Sequence, residues 1–213
     1  MPEETPEVVI PEVALSPYAF VTKQEARDYV FTRERDASDE DAADERILFR
    51  IVNAACAAIE KHCKKYFIIR EGIEEYHDGG DDEIFLHYYP VTEISEVAEN
   101  GSAIASTLYD HYPDMGLLYR KSGVFYHGRR KVKVTYSAGY GTQAVDEETG
   151  EVTAIEGVPE DVRMAALSWI RTIQKTEPEN FSAQVQGGVV FRPEQIPAEV
   201  AGMLNPYVKP VVR

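Results

Sequence analysis

Residues 42–66, AADERILFRIVNAACAAIEKHCKKY, carry the longest helical pattern in the chain. Apolar residues recur there every three or four positions, in two adjoining rows: Ile47, Ile51, Ala54 and Ala58, then Leu48, Val52, Ala55, Ile59 and Cys63. This spacing places both rows on one side of a helix. The alanines put small side chains at the middle of this apolar stripe, which we call the thin stripe, so a second helix can approach closely. We predict a long central helix whose core residues include Ile51, Ala55 and Ile59.

A second amphipathic helix is predicted to begin at Pro159. Proline is favoured in the first turn of a helix, and the acidic residues Glu160 and Asp161 follow it where the helix dipole favours them. The apolar residues of this helix are spaced by four, three and four positions: Val162, Ala166, Trp169 and Ile173. We expect this face to pack on the thin stripe, with Trp169 filling the space that the alanines leave.

Length and charge limit the classes of protein to which this chain can belong. A chain of 213 residues suggests one domain, or one domain with a large insertion. The formal net charge of −15 argues against binding nucleic acid through a broad basic surface. No apolar run approaches the roughly 20 residues that span a bilayer, and no secretory signal is visible at the N-terminus. We therefore expect no membrane partner.

The two cysteines, Cys56 and Cys63, lie seven residues apart on the predicted central helix. In an intact helix their Cα atoms are about 10 Å apart, whereas a disulfide needs less than about 7 Å. We predict two buried free thiols, which suits a reducing compartment.

The helical parts are predicted to be separated along the chain. Residues 1–21 are acidic and proline-rich and read as an extended arm, either mobile or laid along a partner chain. Residues 22–66 and 158–177 form the predicted helical core. This core starts at a capping box, in which Thr22 and Glu25 have the required spacing.

A β-rich insertion is predicted at residues 67–137, where the apolar period changes from helical to alternating. Tight turns such as Asn100-Gly101 imply an antiparallel sheet or a small barrel. Residues 138–157 read as an acidic loop, and residues 178–213 as a C-terminal segment with a short helix and a docking tail. The predicted fold class is α+β: a small helical bundle with an antiparallel β-rich insertion between the long central helix and the Pro159 helix.

The sequence contains no constellation that indicates catalysis. It has no glycine-rich phosphate loop, GxSxG, HExxH or CxxC motif. Its five histidines fall on separate predicted elements, without the spacing of metal ligands. His77 and Asp78, with Asp81 and Asp82, could bind a cation, but a solvated hairpin turn is favoured. We expect no catalytic residue, no metal and no cofactor.

Charge is unevenly distributed along the chain. Residues 115–145 contain no Asp or Glu, although the protein is strongly acidic. The segment holds the basic residues Arg120, Lys121, Arg129, Arg130, Lys131 and Lys133, interleaved with aromatic residues. This pattern fits three explanations: a subunit interface in which the basic sheet of one copy meets acids of the next, a nucleic-acid contact, or a solvated basic face.

Several motifs, taken in order, resemble the head–tail connector (adaptor, or head-completion) proteins of tailed bacteriophages, prophages and gene-transfer particles. They are AACAAIEKHCKKYF at 54–67, YHDGGDDEIFLHYYPVTEISEV at 76–97, VKVTYSAGYG at 132–141, VPEDVRMAALSWI at 158–170 and IPAEVAGMLNPYV at 196–208. The resemblance covers roughly residues 22–207. The acidic arm and the longer segment 142–157 depart from it.

The resemblance implies a structural protein of the virion neck, assembled in the bacterial host cytoplasm, without catalytic residues. It implies a homo-oligomeric ring, commonly of twelve copies, that docks on the portal protein, lets double-stranded DNA pass through its lumen, and binds a stopper or tail-completion protein. It also implies that the C-terminal segment reaches the portal through Leu204, Tyr207, Lys209 and Arg213. Two alternatives remain open: a stopper that closes the channel with 142–157, and a small hydrolase or carbohydrate-binding module built on the β-insertion.

Overall fold

A computed structural model describes residues 14–30, 40–176 and 196–209. Its helices are α1 (Lys23–Val30), α2 (Glu40–Cys63), α3 (Glu160–Thr176) and α4 (Ala198–Leu204). Its strands are β1 (Arg70–Gly79), β2 (Glu83–Phe85), β3 (Val91–Glu99), β4 (Ser102–Ala103), β5 (Tyr109–Tyr112), β6 (Leu117–Arg120), β7 (Gly128–Ala138), β8 (Thr142–Val145) and β9 (Val152–Glu156). The predicted α+β class, with an antiparallel insertion between two core helices, is confirmed.

The helical unit is built around α3, which packs against α1, α2 and α4. One apolar cluster contains all five residues predicted for the core: Ile51, Ala55, Ile59, Trp169 and Ile173. The cluster also takes in Ala165 and Ala166 of α3, both fully buried. Small side chains on both α2 and α3 are compatible with close approach of the two helices.

Helix α1 starts at the predicted capping box, which is confirmed. The Thr22 N–H donates to Glu25 Oε2 at 2.8 Å, and the Glu25 N–H donates to Thr22 Oγ1 at 3.2 Å. These reciprocal bonds satisfy two donors at the helix start. Glu25 also pairs with Arg163 of α3, which ties α1 to the centre of the bundle.

The insertion forms two antiparallel sheets that face each other across a second apolar core. One sheet has the strand order β1-β7-β3-β4 and the other the order β2-β6-β5. The shared core includes Ile84 and Leu118 from the smaller sheet and Val97, Val132 and Tyr136 from the larger. The insertion is therefore a small β-sandwich rather than a barrel.

The turn between β3 and β4 is the predicted Asn100-Gly101 hairpin, with Glu99 paired to Ser102. Both turn residues have positive φ, 48° and 84°, as the favoured two-residue hairpin turn requires. Two stretches of the insertion do not form regular strands: residues Ser106–Leu108 form a 3-10 turn, and residues 124–126 lead towards β7 without pairing as a strand.

The segment predicted as an acidic loop, 138–157, differs from that prediction. Ala138 still belongs to β7, and β8 and β9 form an antiparallel hairpin. The hairpin packs on the helical core through Ile155, and Gln143 Nε2 donates to the carbonyl oxygen of Ala19. Its acidic tip, 146–150, is exposed as expected. Asp146 holds the tip by accepting bonds from the Glu148 and Thr149 N–H groups at 3.0 and 2.8 Å.

Two glycines are required where the backbone passes close to another segment. A Cβ at Gly79, at the end of β1, would lie 1.9 Å from the carbonyl oxygen of Tyr126. A Cβ at Gly141, just before β8, would lie 2.0 Å from the carbonyl oxygen of Glu156. Any larger residue would push these segments apart, because real Cβ contacts are never that short.

Candidate interaction surfaces

The C-terminal end of α2 determines how the helical core is connected to the β-sandwich. Lys64 has a φ of 53°, and the Lys65 N–H donates to the carbonyl oxygen of Glu60 at 3.3 Å. This is the left-handed helix end of a Schellman motif, which reverses the chain direction. The helix therefore ends at Cys63 rather than at Tyr66, and the chain turns directly towards β1.

An ion pair between buried Glu60 and half-buried Arg70 closes this junction. Glu60, 8% exposed, accepts the Arg70 guanidinium at 2.6 Å and the Phe67 N–H at 3.1 Å. Burial raises the pKa of the Glu60 carboxyl, and the two donors offset part of that effect. The guanidinium also lies 3.9 Å from the centre of the Tyr66 ring and 4.1 Å from that of Tyr18. Cation–π contacts of this kind stabilise a cation that has left bulk water.

Lys65, just after the end of α2, is a buried cation. Its Nζ donates to Tyr140 Oη at 3.1 Å and lies 4.3 Å from the centre of the Tyr89 ring. Burial lowers the pKa of Lys65. Tyr140 follows β7, where the chain leaves the insertion, and Tyr89 lies between β2 and β3. Lys65 therefore links the end of α2 to two segments of the insertion.

The C-terminal segment folds over this junction. Tyr207 Oη donates to the carboxylate of Asp161, with distances of 2.8 and 2.9 Å to the two oxygens. The Tyr207 ring meets Phe67 and Tyr140 edge-on, each at 6.0 Å between centres. Burial, followed by the Asp161 carboxylate, raises the pKa of Tyr207 to about 12.

The residues predicted to bind the portal divide into three groups. Leu204 is fully buried in the helical core, where its side chain anchors α4 to its own chain. This burial corrects the prediction that Leu204 contacts the portal directly. Tyr207 and Lys209 are half-buried and bonded within the chain. Arg213 lies outside the described residues.

The six basic residues predicted for a subunit interface lie on two different sheets. Arg120 pairs with Glu99 and joins β6 to β3, so its side chain links the two sheets. Lys121 pairs with Asp110 beside the smaller sheet. The other four residues, Arg129, Arg130, Lys131 and Lys133, lie on the first half of β7 in the larger sheet.

The first half of β7 carries a basic outer face. Lys133 is paired across the sheet with Tyr76, and Lys131, two residues earlier on β7, shares its side. Arg130 lies over the Tyr76 ring, 5.1 Å from its centre, and Lys133 Nζ pairs with Glu74 at 2.6 Å. We call Tyr76, Arg130, Lys131 and Lys133 the basic face.

The outer face of the smaller sheet is apolar, which the sequence analysis missed. Phe85 and Tyr112 both pair with Leu117, so the three side chains form one row on the same side. Phe85 is 60% exposed and Tyr112 54%. Glu83 and Asp110 lie two residues away on the same side and give the row an acidic rim. We call Phe85, Tyr112, Leu117, Glu83 and Asp110 the apolar face.

The described part of the chain offers no metal-binding group of three or more His, Cys, Asp and Glu residues. None of the helices in those ranges is long and apolar enough to cross a membrane. Two carboxylates do point into the sandwich, and both have partners. Glu99 pairs with Arg120, and Glu75 accepts the Tyr136 hydroxyl at 2.5 Å and lies 3.0 Å from His77 Nε2.

A family model described as "Head completion protein" matches residues 20–209. No curated protein matches the chain. Among solved structures, a chain of the virion of a native gene transfer agent (GTA) particle is 18% identical, with a TM-score of 0.58 and coverage of 95% of this chain and 96% of that one. A chain from the neck of an empty GTA particle computed with C6 symmetry is 20% identical, with a TM-score of 0.60 and coverage of 95% and 96%. A chain from the neck of a native GTA particle computed with C12 symmetry is 18% identical, with a TM-score of 0.58 and 94% coverage of both chains. These likenesses extend over the whole fold.

Proposed function

Because the chain belongs to the head completion protein family, we propose that it is a structural subunit of the head–tail connector in the neck of a tailed-phage or gene-transfer particle. The family match over residues 20–209 carries this proposal. The same fold in chains of GTA neck particles supports it.

We further propose that copies of the chain form a ring, with twelve subunits as the expected number. The C12 symmetry of a neck that contains a chain of the same fold supports this number. The ring docks on the portal protein at one end and offers a surface to a stopper or tail-completion protein at the other. The C-terminal residues Tyr207 and Lys209, followed by Arg213, are the proposed portal-side segment.

Double-stranded DNA passes through the lumen of the proposed ring without sequence-specific binding. The net charge of −15 supports this, because a mostly acidic wall lets a polyanion slide and does not hold it. The basic residues that could grip phosphates are partly engaged within the chain, as Lys133 is with Glu74.

We propose that the chain catalyses no reaction and does not act as the stopper. The inward carboxylates Glu75 and Glu99 are engaged by neighbouring side chains, which disfavours a hydrolytic cleft in the sandwich. The stopper alternative assumed that residues 142–157 form a long free loop that closes the channel. Its two strands are instead paired with each other and bonded to Ala19, which leaves a short tip.

The experiment that tests this function measures the native mass of the purified protein, alone and with the portal protein of the same genome, and images both by electron microscopy. The expected particle is a ring with a central channel and about twelve times the mass of the 24.0 kDa chain. Absence of rings in both samples would overturn the proposal.

A further inference from the structure

The two faces of the β-sandwich are unlike each other and lie on opposite sides. The apolar face is the outer surface of the sheet β2-β6-β5, and the basic face belongs to the outer surface of the sheet β1-β7-β3-β4. The second apolar core separates them. A subunit with two different surfaces on opposite sides can contact one neighbour through each.

The apolar face has the composition of the centre of a protein interface. Two aromatic side chains, Phe85 and Tyr112, stand more than half exposed on either side of Leu117. Met115 in the turn between β5 and β6 is 59% exposed. Exposed aromatic and Met side chains are enriched in interfaces, and a cluster of them is uncommon on a surface that contacts only water.

Charge complementarity identifies the surface that would bind the apolar face. The rim of the apolar face carries Glu83 and Asp110, and the ion pair of Asp110 with Lys121 is exposed to solvent. The basic face presents Arg130 and Lys131 around the exposed Tyr76 ring. Within residues 14–30, 40–176 and 196–209, the side chains of Arg130 and Lys131 contact a ring and an amide and no carboxylate. Arg130 lies over Tyr76, and Lys131 Nζ donates to Asn100 Oδ1 at 3.0 Å. Both cations therefore keep their charge available to a partner.

We propose that the apolar face of one copy binds the basic face of the next copy, and that this head-to-tail contact closes the ring. The inference rests on the proposed function, which requires a ring, and names the surfaces that form it. Phe85 and Tyr112 pack against Tyr76, and Glu83 and Asp110 pair with Arg130 and Lys131. A contact between two different surfaces generates a ring when its rotation closes, whereas a contact of one surface with itself stops at a dimer.

Two blocked variants test the contact. Phe85→Asp/Tyr112→Asp blocks the apolar face, and Arg130→Glu/Lys131→Glu blocks the basic face. Each alone is expected to run as a single chain of 24.0 kDa in native mass spectrometry. Mixed in equal amounts, they form a heterodimer of twice that mass and nothing larger, because each supplies the face that the other lacks.

Matched controls make the same chemical changes elsewhere. Val145→Asp places a charge on a similarly exposed apolar residue, 50% exposed, in the β8–β9 hairpin. Arg46→Glu/Arg50→Glu reverses two exposed charges on α2. Both controls are expected to form rings like the unsubstituted protein. Thermal unfolding checks that all four variants are folded.

Cross-linking gives a second readout that does not depend on disrupting the ring. A Tyr112→Cys/Lys131→Cys variant treated with a short bismaleimide is expected to give a ladder of cross-linked chains. Each single variant is expected to stay uncross-linked. The native thiols of Cys56 and Cys63 do not interfere, since both are buried.

The outcomes separate the two proposals. Rings from the unsubstituted protein together with rings from either blocked variant, or no heterodimer on mixing, would overturn the assigned surfaces and leave the connector function standing. Dimers cross-linked by a single-cysteine variant would also overturn them, because they indicate a face contacting itself. An unsubstituted protein that forms no ring with or without portal would overturn both.

Discussion

The ammonium group of Lys209 donates a hydrogen bond to the backbone carbonyl oxygen of His87, 2.9 Å away. The backbone N–H of the same residue donates to the carbonyl oxygen of Cys63 at 3.1 Å. One residue near the C-terminus thus joins the last turn of α2 to the segment between β2 and β3. The proposed portal-side segment starts from a fixed position on both units of its own chain.

Deleting residues 205–213 is expected to weaken attachment to the portal while leaving the chain folded, because the core residue Leu204 is kept. Co-purification with the portal protein measures attachment, and circular dichroism measures folding. Unchanged co-purification of the truncated protein would refute the portal role of this segment.

Tyr207→Phe isolates one contact of the same segment. The substitution removes the hydroxyl that bonds to Asp161, and we expect the free energy of unfolding to fall by about 1 kcal/mol. Urea denaturation measures the change. Asp161→Asn is the matched variant: if the bond matters, the double variant should lose less than the sum of the two single losses.

Trp169→Ala is expected to destabilise the protein by about 3–5 kcal/mol, because Trp169 is 3% exposed in the helical core. Chemical denaturation gives the difference in unfolding free energy. Leu108→Ala, at a 42% exposed position, is the control and should change stability by no more than about 0.5 kcal/mol. A loss under about 1 kcal/mol for Trp169→Ala would contradict the packing of α3.

Glu60 and Glu75 are expected to give opposite pH dependences of stability. Burial raises the folded-state pKa of Glu60, so its contribution to stability is greatest at low pH and is lost as pH rises through that value. Burial alone would raise the pKa of Glu75 too, but bonds from His77, Tyr136 and the His87 N–H lower it below the ordinary value. The contribution of Glu75 is therefore present above the ordinary pKa and is lost as pH falls.

Unfolding free energies of Glu60→Gln and Glu75→Gln, measured from acid to neutral pH, test this contrast. Relative to the unsubstituted protein, Glu60→Gln should gain stability as pH rises, and Glu75→Gln should lose it. Parallel profiles for the two variants would show that the two carboxyls do not have opposite pKa shifts.

Both thiols are expected to be inert in the folded protein. Burial raises the pKa of Cys56 to about 12 and that of Cys63 to about 11, so neither forms appreciable thiolate at neutral pH. Maleimide should label neither cysteine before denaturation and both after it. Rapid labelling of the native protein would indicate that α2 opens readily.

The parts of the fold that follow a strong local period could be predicted from the sequence. The stripe on α2, the Thr22 and Glu25 capping box and the Asn100-Gly101 turn each depend on spacing within a few residues, and each is present. The end of α2 could not be read in this way. Lys64 adopts a conformation that lysine rarely takes, and the ion pair of Glu60 with Arg70 follows that reversal.

The β8–β9 hairpin and the apolar face were missed for a different reason. Most of the β8–β9 hairpin is exposed and mostly polar, and among its strand residues only Ile155 is buried. The three consecutive apolar residues Ile84, Phe85 and Leu86 show no alternation that would tell an inward side chain from an outward one. Only pairing with β6 reveals that Ile84 points inward and Phe85 outward.

The close backbone approaches at Gly79 and Gly141 restrict how this chain can diverge. The two neck chains have a similar fold at 18–20% identity, so about four aligned residues in five differ from those of this chain. Positions where a single added carbon would collide with a passing carbonyl oxygen cannot vary in this way. Among distant members of the head completion protein family, we expect glycine at these two positions more often than any one residue at the surrounding surface positions.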